Sequence, residues 1–217
     1  MLMMIALMTV VVSVMALGND YELGTVNVLI SRGVDRYQFI LSKIIATVSA
    51  ALTNGFVFMI AAFASTYVVH VTYSDVPFVE AAGGDIVWRL IGAIAVIGLV
   101  NFVLSGVVML ALVLGRNSWV GMLAGLGYFF GDFIVGGLGS GEVLGMNDAY
   151  RYTVFYHAIS INELFFPSDP AVSLPRAWIE KGLATPMSAV VALILYGAIL
   201  TVLSILLFRR QDLTSKT

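Results

Sequence analysis

The sequence predicts an all-α, polytopic membrane helix bundle with five spans. Two observations carry that fold class. The 217-residue chain is 60% hydrophobic and only 11% charged, with a mean hydropathy of +0.99, whereas soluble domains run near ~25% charged and ~45–50% apolar. Its apolar residues also gather into five long runs instead of alternating with polar ones. Composition excludes other classes as well. The chain has no cysteine, hence no disulfide, thiolate metal site or cysteine nucleophile. Two histidines are too few for a multi-histidine metal centre. A net charge of −2 supplies no basic field for nucleic acid.

Residues 1–17 form the first span, short against the ~17–25 residues of a crossing helix. No Lys or Arg precedes its apolar core, so it reads as a retained helix and not as a cleaved signal peptide. Gly18 ends it. Asn19-Asp20-Tyr21-Glu22 then has capping-box spacing, Asn19 capping and Glu22 reaching back, which predicts a short helix from about Asp20 to Ser31. Arg32-Gly33 breaks that helix. Asp35-Arg36-Tyr37-Gln38 repeats the capping spacing ahead of the second span, 40–69. That run and the third, 86–114, exceed a perpendicular crossing and must tilt or project. The fourth span, 119–138, carries Gly121-x-x-x-Gly125 and Gly127-x-x-x-Gly131. These spacings let helices approach closely, here a candidate seam between two copies. After the outer loop 139–186, the fifth span covers 187–208. The whole of 1–217 is one transmembrane domain.

Loop charge sets the orientation. Segments 18–43, 115–118 and 209–217 hold seven basic and four acidic residues, while 70–89 and 139–186 hold four basic and eight acidic ones. Because Lys and Arg mark the cytoplasmic side, the first set is inside and the C-terminus is cytoplasmic. With five spans between the ends, the N-terminus falls outside. The outer loop concentrates Tyr150, Tyr152, Phe155, Tyr156, Phe165, Phe166 and Trp178, so it folds onto the outer leaflet as short helices, either a gate or a cover.

The inner loop 18–39 leaves the membrane, forms a short interfacial helix and returns. Its residues fit a helix resting on lipid headgroups and equally one docked on a cytoplasmic partner. Glu22-Leu23-Gly24-Thr25, Leu29, Gly33-Val34-Asp35-Arg36 and Lys43 resemble the loop of exporter-type ABC-transporter permeases. That family reads E-x-G-T, a leucine pair, P-x-S-R or G-x-S-R, then a lysine. Asp35 stands where serine is usual. Phe208-Arg209-Arg210-Gln211-Asp212-Leu213 is similar to the ending of the family's last helix. The resemblance implies a plasma-membrane permease subunit whose five spans are the second to sixth of six, with one span missing ahead of Met1. It further implies pairing with a second permease copy and with ATP-binding cassette subunits. Glu22, Gly24, Thr25, Arg36 and Lys43 would then form the ATPase-coupling loop. The chain has no G-x-x-x-x-G-K-[ST], so ATP and Mg belong to the partner and this chain is expected to carry no cofactor and no catalysis of its own.

Asp132 is the lone acid inside a span, where charge is costly. With Tyr128 and Asn101 it marks a possible substrate path; alternatively it sits in water at the outer mouth. His157 and Glu163 lie on different helix faces and His70 ends another span, so no metal pair is expected. The rival to the permease is an ATP-independent secondary transporter or a membrane scaffold. A secondary transporter would show intramembrane coupling-ion groups and inverted repeats.

The charge split predicts that a reporter fused after Thr217 reports from the cytoplasm and one inserted within 142–150 from outside. Cytoplasmic accessibility of 142–150 would reverse the orientation.

Overall fold

A computed structural model describes residues 2–73, 86–138, 149–165 and 183–210. These form seven α-helices: α1 (Leu2–Glu22), α2 (Thr25–Ser31), α3 (Arg36–Tyr73), α4 (Ile86–Gly115), α5 (Ser118–Phe133), α6 (Val154–Phe165) and α7 (Pro186–Arg210). A π-helical turn, Ile134–Leu138, extends α5, and a 3-10 turn, Ala149–Tyr152, leads into α6. No strand occurs among the described residues. Five of the helices, α1, α3, α4, α5 and α7, are long and apolar enough to cross a membrane. The chain is a multi-pass helical membrane bundle.

The centre of the bundle is α4. Of its apolar span 72% is buried, against 17–44% in the other four, and α1, α3, α5, α6 and α7 all pack against it. Its hydropathy is correspondingly even around the helix, as a fully enclosed helix requires. The helices around it are built the opposite way to those of a soluble protein. On α7 the buried stripe is Ala189, Leu193, Gly197, Thr201, Ser204, Ile205 and Phe208, while Val191, Leu195, Ile199, Val202 and Leu206 face outward. The small residues of the stripe let backbones approach, and many of the large aliphatic side chains lie on the outward face. A Cβ at Gly197 would collide with the Phe102 ring of α4, and one at Gly106 would lie 2.9 Å from Leu200. The two helices are interlocked through these notches.

The first helix differs from the sequence reading. It does not stop at Gly18 but runs on to Glu22, absorbing Asn19–Glu22, so no capping box forms there. The reason is local packing. A Cβ at Gly18 would collide with the Ser118 side chain, so this glycine permits close contact between α1 and α5. The break falls instead at Gly24, whose φ of 69° is the left-handed conformation that terminates helices. Consequently the interfacial helix is only Thr25–Ser31. Gly33, with φ 88°, makes the second turn. The cap expected at Asp35 is present: its carboxylate accepts from Tyr37 N–H at 2.9 Å.

The remaining spans extend beyond their predicted limits by a few residues, α3 and α7 at both ends. Pro186 occupies the first turn of α7, where its missing N–H costs nothing. In the segment 139–186 the described part shows the expected short helices, at 149–152 and 154–165, whereas Phe166 and Trp178 lie outside the described residues. The side chains of His70 and Glu163 do as well.

The two glycine pairs of α5 have opposite environments. A Cβ at Gly121 would meet Leu112 of α4, and one at Gly125 would lie 2.6 Å from Val108 and 2.7 Å from Val10. This pair packs inside the chain, so it is not a seam between two copies. Gly127 and Gly131 face open space. Gly125→Leu should therefore cost roughly 1–3 kcal/mol through overpacking, read as a lower thermal midpoint of the detergent-purified protein, whereas Gly127→Leu should match wild type. Equal midpoints for the two variants would contradict this packing.

Candidate functional site

The candidate residues gather at the two ends of the bundle. At the end bearing Arg32, Arg36, Arg116 and Arg209, the loop between α1 and α3 is tied to the body at three points. Arg36 donates to the last carbonyls of α7, Arg209 O at 2.9 Å and Phe208 O at 3.4 Å. A helix C-terminus has unpaired carbonyls and partial negative charge, and the guanidinium answers both. Lys43 of α3 pairs with Asp20 of α1 at 2.6 Å and lies 5.4 Å over the Phe39 ring. Phe39 in turn stacks on Phe208, with centroids 5.7 Å apart, and Tyr21 meets the same ring edge-on at 6.4 Å. Arg36 and Lys43, both in the first turns of α3, thus join α1, α3 and α7.

Helix α2 sits over this junction. Val26 points inward and is buried, as the anchor of the helix. Leu23, at 79% exposed, and Val28, at 47%, project away from the bundle. Glu22 is exposed and Thr25 half-buried. The five loop residues named from the sequence therefore divide into a clamp, Arg36 and Lys43, a hinge, Gly24, and an outward edge, Glu22 and Thr25.

At the opposite end, Asp132 closes the first turn of α6. Its Oδ1 accepts from Val154 N–H and its Oδ2 from Phe155 N–H, each at 2.8 Å. Thr153 completes the cap. Its hydroxyl accepts from Tyr156 N–H at 3.1 Å and its carbonyl from His157 N–H at 3.3 Å. All four leading N–H groups of α6 are thereby paired, three of them by side chains. The Asp132 contact spans 22 residues of sequence, so no local pattern signals it. Thr153 ahead of an apolar run is the sequence cue for the cap. Gly136 allows the approach, since a Cβ there would lie 2.7 Å from Thr153.

On α6, His157 is buried between the Tyr156 and Tyr196 rings, at 5.5 and 5.9 Å. Burial lowers its pKa, keeping the imidazole neutral. Burial also raises that of Tyr156.

A cavity of about 110 Å³ opens between α1, α4, α5 and α6. Tyr128 and Asp132 both line it, together with Asn162 and the rings of Phe129, Phe133 and Phe155. Asn101 does not. It is buried on α4 with its amide donating back to Ile97 O at 2.7 Å. The substrate-path residues named from the sequence are thus not one site, although two of the three share this cavity. Comparison with protein-family models, curated proteins and solved structures returned no match.

Proposed function

We propose that the chain is the membrane permease subunit of an ATP-driven ABC exporter in a prokaryotic plasma membrane, working as a pair of permeases with ATP hydrolysed by a partner subunit. The reading starts from the resemblance carried by Glu22–Lys43. The observation that supports it best is the outward apolar edge of α2. Leu23, in the turn that leads into α2, and Val28, on the helix itself, are exposed, while the other side of the helix is anchored by Val26 and both flanking turns are made at glycines. Such a helix is held in place and offers a contact surface.

The same geometry suggests how a docked ATPase would act on the membrane. Displacing α2 pulls on α1 through Gly24 and on α3 through Gly33. Arg36 passes the movement to α7 through the carbonyls it binds, and Lys43 passes it to α1 through Asp20. Three spans would then move with one loop. ATP binding shifts the permease only so far as the ATPase binds its two packings with different affinity. Orientation follows the charge rule, with α2, Arg36 and the C-terminal end of α7 on the cytoplasmic side.

Burying Leu23 in an interface is worth ~1.5–3 kcal/mol, or roughly tenfold or more in affinity. Leu23→Glu should therefore abolish co-purification of an ATPase that accompanies the wild-type chain, while the variant accumulates in the membrane normally. Equal recovery of the ATPase would remove the apolar edge at Leu23 from the interface. Absence of any ATPase with wild type would overturn the permease reading.

A further inference from the structure

The cavity beside Asp132 combines three features that select a ligand. Its walls are aliphatic on one side, Ala6, Val100 and Leu104, and aromatic on the other, with Tyr128, Phe129, Phe133 and Phe155. A carboxylate stands among those rings. Among the described residues no Lys, Arg or His lines the cavity, and none forms an ion pair with Asp132.

The carboxylate is held but not used up. A carboxylate offers about four acceptor positions, and Val154 and Phe155 N–H occupy two. Those two bonds fix both oxygens on the edge of the cavity before any ligand arrives, so a cation meets a preorganised counter-charge. Aromatic faces add to the attraction, because the ring quadrupole draws a cation lying over it, most strongly where water is excluded.

The lining also decides what kind of cation fits. A primary ammonium carries three N–H donors, and apart from Asp132 only Tyr128 and Asn162 offer side-chain acceptors. Donors left without partners in an apolar cavity are penalised. A quaternary ammonium has no N–H donors, and its methyl groups suit the aliphatic wall. A single water fills ~10–15 Å³ of comparable space, so this cavity of about 110 Å³ takes about seven to eleven water-sized groups, the size of a small quaternary ammonium.

We propose that this cavity is a binding site for a small quaternary ammonium compound, with Asp132 as counter-ion and the Tyr128, Phe129, Phe133 and Phe155 rings as its wall. As a statement about cargo this rests on the permease reading, whereas the binding itself does not. Helix α6 would act as the outer lid of the site, since Asp132 joins it to α5.

The test is calorimetric titration of the full chain, purified in a neutral detergent, with choline and with its uncharged isostere, in which a carbon replaces the nitrogen. Choline should bind at least tenfold more tightly than the isostere. Asp132→Asn should weaken choline at least tenfold and leave the isostere unchanged. Because that substitution also touches the α6 cap, Tyr128→Leu provides a variant with the cap intact, and it should weaken choline several-fold. Equal affinity for the two probes, no choline binding to wild type, or full binding by both variants would overturn the assignment. Co-purification of an ATPase is read separately on the same preparations. Choline failing while the ATPase is recovered rejects the cavity's ligand alone; binding without an ATPase rejects the permease reading alone.

Discussion

The bond between Asp132 and the start of α6 is the contact on which the α6 end of this molecule depends. Every helix start leaves four N–H groups without partners inside the helix, and where they are buried they must be met by other acceptors. Asp132 supplies two acceptors from a neighbouring helix and Thr153 supplies the rest. The ledger closes with no free donor. It also fixes where α6 lies, and with it one wall of the cavity between α1, α4 and α5. The carboxylate therefore has a structural role that accounts for a charge within a span, and the ligand role builds on it.

The opposite end solves the mirror problem. There the carbonyls at the end of α7 need donors, and Arg36 provides them from across the bundle. Asn117 does the same service at the start of α5, accepting from Trp119 N–H at 2.8 Å. In a chain that is only 11% charged, much of the scarce polar chemistry is spent on helix ends. The interior is left to shape: glycine notches against large side chains, and hydroxyls turned back onto their own helix, as in Ser204 to Leu200 O at 2.8 Å. Lipid offers no hydrophobic drive for helix association, so close packing has to supply it. That is why the most apolar faces of α7 point outward.

The five spans were legible because hydropathy over ~20 residues is a strong signal in any context. The Asp35 cap was legible because its partner is two residues away. Gly18 was misread as a terminator. In sequence it looks like Gly24, and only the neighbouring Ser118 makes it a point of contact instead of a turn. The glycine pairs of α5 show the same limit, since identical spacing produced one packed pair and one open pair. Arg36 and Asp132 were singled out, yet their partners lie 172 and 22 residues away. Residue type indicated that each must be satisfied; only the fold shows by what. Asn101 drew attention as a polar group in a span, and its amide nitrogen is paired within its own helix while its buried Oδ1 is left without a hydrogen bond.

The central claim, that Asp132 holds the first turn of α6, is tested most directly by residue-resolved amide hydrogen exchange at Val154 and Phe155 in wild type and in Asp132→Ala. A hydrogen bond to a charged group is worth ~1.5–3 kcal/mol net, roughly tenfold or more in an opening equilibrium. The account predicts that exchange at these two amides rises at least tenfold in the variant, while Tyr156, held by Thr153, changes far less. Unchanged exchange at Val154 and Phe155 would contradict it.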